Sequence, residues 1–261
     1  MGLGRNAMAR EDYDRAVTFF DRVVQLAPEF NYGYSYRAEA HLLRRDYPHA
    51  VEDCTSALSL LWDDVDVRAY QVFRTLCDSA ATTLRARLKV LHNKEPQKQK
   101  WLYYLYSLED HLGNYGRAAN YYFKEYQLSP TAQSALNLAD KLASLNLHDA
   151  ALMWQARAEN HDTKNIDAPL LAAVLHMKKG NFNEANAALE RAIALDAENP
   201  DIYKNYGQLN SERENPESAL EAYDMALSLS ADDTKIFNQR GRLLLKMGQK
   251  ERAAKDFQRI L

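Results

Sequence analysis

Any chemistry in this chain would rest on its histidines, cysteines and acids, and on whether their spacing can bring them together. The seven histidines are dispersed along the 261 residues. His41 and His176 fall at helix positions that are otherwise apolar, and His111 and His148 lie near turns. An imidazole acts as a metal ligand or base only with a second group in reach, and nothing clusters around these in sequence. HExxH, glycine-rich phosphate loops and GxSxG are all absent. Cys54 and Cys77 lie on separate predicted helices without CxxC spacing and read as small apolar packing residues, which leaves the redox compartment open. Glu52-Asp53 and Asp63-Asp64-Asp66 fall at a helix end and the turn after it, where solvated charge and N-caps belong. The chain reads as a non-enzyme, with no catalytic residue, no cofactor and no metal expected.

The totals narrow the class further. A net charge of −3 argues against a dedicated nucleic-acid binder, which carries a basic excess on one face. Nine glycines and seven prolines are too few for a many-stranded β architecture, and helix formers dominate instead. No apolar run approaches the roughly 20 residues of a membrane span, and the opening "MGLGRNAMARED" does not read as a signal peptide, so no membrane insertion is expected and the compartment is left open.

What positions these residues is a repeat. Ala16 and Ala50 are 34 residues apart, Ala50 and Ala118 are 68 apart, and Ala185, Ala219 and Ala253 are again spaced by 34. Between Ala118 and Ala185 the distance is 67, one residue short, and the short turn "SLNLHDA" ahead of Ala150 is the expected place of the loss. One period after Ala50 stands Leu84, while Pro96 keeps the slot of Pro28 and Pro130. Residues 65–98 therefore read as a diverged repeat, two helices with a thicker contact between them.

Around each alanine the same residues return. Leu3-Gly4 comes with Ala16, Phe20 and Pro28; Tyr203 and Tyr206-Gly207 with Ala219 and Tyr223; Phe237 and Gly241 with Ala253 and Phe257. This pattern resembles the tetratricopeptide repeat (TPR), a helix–turn–helix unit, and the resemblance covers essentially residues 1–261, weakly at 65–98 and 133–164. It implies an all-α fold, a right-handed superhelical solenoid of about eight such units in a single array. The residue types support it physically. Small residues (Ala38, Ala173, Gly207 and Gly241 on the first helix, Ala185, Ala219 and Ala253 on the second) let two helices cross closely, while Phe20, Trp154, Tyr223 and Phe257 fill the gap to the next hairpin. Gly113, Gly180 and Gly248 stand where the first helix must stop and reverse, and Pro28, Pro96 and Pro130 end the second. The last unit stops at Leu261 without the polar cap that stacked arrays use, so a fragment of a longer protein is expected.

In the TPR architecture the first helix of each unit lines a concave face. By that register the partner-binding residues are Tyr32, Glu39, Phe73, Lys100, Tyr103, Lys204, Gln208, Asn238 and Arg242. Twelve of the sixteen tyrosines lie between residues 32 and 126, and tyrosine combines large contact area with a hydroxyl, as a peptide groove requires. Most of them would serve inter-repeat packing; Tyr32, Phe73 and Tyr103 point inward by register. The carboxylate clamp of chaperone-binding TPR domains is matched only by Lys204, Gln208 and Gln239, with glutamine where asparagine belongs, so a chaperone C-terminus is not expected as ligand. Basic clusters at 85–100 and 240–259 read as solvated faces or as a docking strip for an acidic segment. The resemblance thus implies a protein-interaction scaffold holding a protein or peptide, with no nucleic acid. Alternatives are self-association through the terminal hairpins, where Phe257, Ile260 and Leu261 are expected to be uncovered, and a regulatory or targeting domain of a larger enzyme.

Overall fold

The structure, a computed structural model, describes residues 1–60 and 66–260; Asp63, Asp64 and Leu261, singled out above, lie outside the described residues. The chain forms two compact units, Met1–Leu128 and Ser129–Leu261. The first contains α1 (Gly2–Ala9), α2 (Tyr13–Leu26), α3 (Asn31–Leu43), α4 (Tyr47–Leu60), α5 (Val67–Ser79), α6 (Ala81–Lys94), α7 (Gln99–His111) and α8 (Tyr115–Leu128). The second contains α9 (Ala132–Ser144), α10 (His148–His161), α11 (Asp167–Lys178), α12 (Phe182–Leu195), α13 (Pro200–Glu212), α14 (Pro216–Leu229), α15 (Thr234–Lys246) and α16 (Lys250–Gln258). Odd-numbered helices are the first helices of their hairpins and even-numbered helices the second.

Local chemistry sets the helix ends. Asp12 accepts a hydrogen bond from the Arg15 amide, Asp66 from those of Arg68 and Ala69, and Asp233 from those of Lys235 and Ile236, each satisfying orphan donors of a first turn. Thr131 and Ser134 form a reciprocal capping box. Pro200 and Pro216 open α13 and α14, where the missing N–H costs nothing. Seven turns inside hairpins pass through one left-handed residue. Gly113, Gly180 and Gly248 do so at φ of 71°, 74° and 77°, as their position predicts. Asn146, a type that tolerates this conformation, fills the same slot, as do Glu11, Arg45 and Glu214, at φ of 58–60°, which the last three types do not announce.

The third hairpin departs from this rule. In residues 65–98, α5 begins and ends two residues later than the period requires, so that Ala80 alone links it to α6. The thick contact expected between the two helices is not made there: α5 packs more extensively on α3 and α4 than on α6. Phe73, Leu76, Leu84 and Leu88 are buried in a cluster shared with Trp101, Leu102 and Leu105 of α7. Length was retained while the local hairpin gave way to packing on neighbours.

The missing residue of the period is also placed differently from expectation. The α9–α10 turn, residues 145–147, has the usual three residues. The link between α8 and α9, residues 129–131, has three where those at 27–30, 95–98, 196–199 and 230–233 have four. The loss therefore falls at the boundary between the two units, and Ala151, fully buried, holds the small-residue slot.

Hairpin crossings follow the expected size rule. Ala38, Ala173, Ala185, Ala219 and Ala253 are all fully buried. Gly4, Gly207 and Gly241 lie beneath the rings of Phe20, Tyr223 and Phe257, each sixteen residues further on. Cys54 and Cys77 are buried free thiols. Burial pushes the Cys77 pKa up to about 12, as suits an inert packing residue.

Candidate partner-binding surface

In the first unit α3 packs against α5 and α5 against α7, so the first helices form a layer. In the second unit α9, α11, α13 and α15 pair successively in the same way. The residues expected to bind a partner are distributed over these layers in three states.

Some stand open. Tyr32 is 43% exposed on α3 and Tyr103 is 42% exposed on α7. Tyr103 is held edge-on between Tyr104 and Tyr106, with centroids at 5.2 and 5.4 Å, so its orientation is set before any ligand arrives. Asn238 and Arg242 are exposed on α15.

Others carry internal partners. Glu39 is ion-paired with Arg68, whose guanidinium also lies 4.0 Å over the ring of Tyr36. Lys100 donates from Nζ to the Ser59 carbonyl at 2.6 Å and stands 5.2 Å over Trp101, and burial lowers its pKa. Lys204 is paired with Asp201, and burial lowers its pKa against the attraction of Asp233. Gln208 donates to Glu212 at 2.9 Å.

Phe73 is turned inward, 2% exposed, with its ring 5.1 Å from Tyr104. It shares the register slot of Glu39, but its helix packs on α3, α4 and α7, and its ring meets Tyr104 of α7. Nearby, Ser35 and Asp66 are buried: Asp66 accepts from the Ser35 hydroxyl and, at 3.1 Å, from Asn31 Nδ2. In place of Phe73, α5 offers Tyr70, which is 41% exposed and stacks on Phe73 at 6.3 Å.

The basic strip at 85–100 is largely engaged. Arg85 donates to both carboxylate oxygens of the buried Glu109, at 2.5 and 3.2 Å, and Lys98 pairs with Glu95 at 2.7 Å. At the chain's end Phe257 is half-buried over Gly241 and Ile260 is exposed.

Two arginine triads repeat in register and were not anticipated. Arg37 donates to Asp53 through Nε (2.8 Å) and Nη2 (2.6 Å) and to Asp21 through Nη1 (2.7 Å). Arg240 repeats this with Asp256 at 2.8 and 2.6 Å and with Asp224 at 2.5 Å. Each joins three consecutive helices. The signal was present as aspartates sixteen residues either side of an arginine.

Among the described residues, no helix is long and apolar enough to cross a membrane. A family profile described as the tetratricopeptide repeat matches residues 1–65 and 170–234, one stretch in each unit. No curated protein matches the chain by sequence. Of solved structures, a tetratricopeptide repeat protein from Parabacteroides merdae is similar with a TM-score of 0.62 and 17% identity, over 88% of this chain and 91% of its own. Yeast Tom70 is similar with a TM-score of 0.59 and 17% identity, over 95% of this chain and 54% of its own. Cut9-Hcn1 of the APC/C gives 0.58 and 17%, over 95% of this chain and 49% of the matched one. At such identities the likeness is one of fold. Period, left-handed turns, glycine-on-ring crossings and the matched profile agree: the chain belongs to the tetratricopeptide repeat family.

Proposed function

We propose that the chain is a protein-interaction scaffold that holds a segment of a partner protein against the layer of first helices. The observation that carries this reading is a set of three half-open tyrosines, Tyr32, Tyr70 and Tyr103, on the successive first helices α3, α5 and α7. A solvated aromatic held by its neighbours offers contact area at little entropic cost, the usual property of a binding hot spot. Glu39 and Lys100 flank them with opposite charges, each held by an internal partner, Arg68 and the Ser59 carbonyl. In the second unit the corresponding surface is polar, built by Lys204, Gln208, Asn238 and Arg242, and suits a ligand with carbonyls and carboxylates. In this reading residues 1–261 act as one array of eight repeats, with 65–98 and 133–164 diverged.

The test is affinity capture with quantitative mass spectrometry, comparing the wild type with Tyr32→Ala/Tyr70→Ala/Tyr103→Ala. A control carries Phe123→Ala and Met153→Ala, exposed residues of the second helices α8 and α10. A partner lost from the tyrosine variant and retained by the control is the expected result. Equal retention by both would sink this placement of the site.

A further inference from the structure

His41, Asp46 and His49, within nine residues of sequence, are brought together by the fold at the turn from α3 into α4. His41 ends the buried stripe of α3, Asp46 closes the turn and His49 lies in the first turn of α4. The reversal depends on Arg45, left-handed at φ 60°, which brings residues on either side of it to one spot. His49 Nδ1 lies 2.8 Å from both carboxylate oxygens of Asp46. His41 Nδ1 lies 3.2 Å from Asp46 Oδ2, and the two imidazole rings stack with centroids 5.1 Å apart. One donor atom from each residue falls within 4.8 Å of the other two.

A hydrogen bond at a helix start accounts for His49 and Asp46. It does not account for His41, which is 8% exposed and whose Nδ1 is buried, directed at the same carboxylate and makes no hydrogen bond. A buried imidazole nitrogen that makes no hydrogen bond is costly, and an ion held between it and the Asp46 carboxylate would satisfy it. Ligand distances also agree. With bonds of about 2.1 Å to nitrogen and oxygen, donors around a tetrahedral ion stand about 3.4 Å apart, and the two histidine–carboxylate distances, 2.8 and 3.2 Å, lie near this. On the far side of the His41 ring, Asp53 Oδ2 lies 3.8 Å from Nε2, the place of the carboxylate that commonly orients a ligating histidine. Asp53 is itself fixed by the two hydrogen bonds from Arg37, so the orienting group is rigid. His49 is exposed and Asp46 partly so, which leaves a way in from solvent.

We propose that His41, Asp46 and His49 form a binding site for a divalent first-row transition ion, Zn2+ above all, with water completing the coordination. Two imidazoles and a carboxylate suit Zn2+, Co2+ or Ni2+ and disfavour Mg2+ and Ca2+, which take oxygen. Ligation would use the Nδ1 lone pair of each neutral ring and leave its proton on Nε2, which in His41 faces Asp53 Oδ2 at 3.8 Å. The site joins the end of one helix to the start of the next, so the ion would staple the α3–α4 hairpin.

The experiment is a Co2+ titration of the tag-free full chain, followed by visible absorption, with Zn2+ competition and melting curves. One ion per chain, d–d bands of a four- or five-coordinate site, displacement by Zn2+ and a Zn2+-dependent rise in Tm are expected. His49→Ala, at an exposed position, and Asp46→Asn should each weaken binding by about tenfold or more and remove the Tm rise, while His161→Ala changes neither. Absence of the bands would overturn the proposal. So would equal affinity in wild type, His49→Ala and Asp46→Asn, since the ion would then sit elsewhere.

Discussion

Tyr106 and Tyr122 stack face to face, with ring centroids 3.9 Å apart and planes inclined by 20°. The same two register positions hold Gly207 and Tyr223 in one hairpin and Gly241 and Phe257 in another. A helix crossing is thus filled in two ways, by a ring lying on a glycine or by two parallel rings. Burial pushes the Tyr106 hydroxyl well above its usual range, and that of Tyr122 likewise, reinforced by Asp110.

Gly207→Ala separates two opposing effects. Alanine favours a helix by about 1 kcal/mol over glycine. A Cβ at Gly207, however, would meet three Tyr223 ring atoms inside 3.0 Å. Overpacking of this kind costs about 1–3 kcal/mol, so net destabilisation is expected in urea titration. Adding Tyr223→Leu should cost less than the sum of the single changes.

Ala219→Phe should be strongly destabilising, because Ala219 is fully buried where α14 meets its neighbours. The expected loss is about 1–3 kcal/mol or more. Ala231→Phe, at an exposed turn, should leave the melting temperature almost unchanged. Equal melting temperatures would mean that the helix register is wrong.

The turn slot offers a stabilising change. Glu214 adopts φ 58° where Gly248 adopts 77° in a corresponding turn. A left-handed non-glycine residue costs about 1–2 kcal/mol, part of which glycine returns through the unfolded chain. Glu214→Gly should raise stability by up to about 1 kcal/mol and Gly248→Ala should lower it by a similar amount, as measured by calorimetry.

The Arg37 triad should respond unequally at its two ends. Burial opposes the Arg37 charge, but Asp53 and Asp21 outweigh it and raise its pKa. The Asp53 side chain is 6% exposed and that of Asp21 is 46%. Arg37→Met leaves a buried carboxylate unpaired, at an expected cost of about 3–5 kcal/mol in chemical denaturation. Asp21→Asn removes only the solvated arm, at about 0–1 kcal/mol.

His176 should make the chain lose stability in mild acid. Burial lowers its pKa below the ordinary 6.5, against the attraction of Glu184. Below pH 6.5 the unfolded chain therefore takes up a proton that the folded chain refuses, and stability falls until the folded pKa is reached. Melting temperatures between pH 8 and 5 should decline less in His176→Leu than in the wild type.

The sequence by itself determined the repeat, the helices and the crossings. Alanine, glycine and aromatic residues recurring every 34 positions record which points of each helix must be small and which must fill space. Those are local steric demands, legible without coordinates. Glycine in the turn slot was equally legible, whereas Glu11, Arg45 and Glu214 were not, because their backbone conformation is imposed by the hairpin rather than preferred by the residue.

Only the tertiary structure decided which side chains of the first helices stand open. In α5, Ala69 and Val72 stay on the buried side, one period after Ser35 and Ala38. Phe73 is covered as well, against Tyr104 of α7, and Tyr70 is left half-open, through contacts that sequence spacing does not measure. His41, Asp46 and His49 became a cluster for a related reason. Periodicity reports which face of one helix a residue occupies, but bringing the end of α3 against the start of α4 requires the chain to reverse through Arg45. Distances across such a reversal are set by packing of the two helices, a property of the folded hairpin.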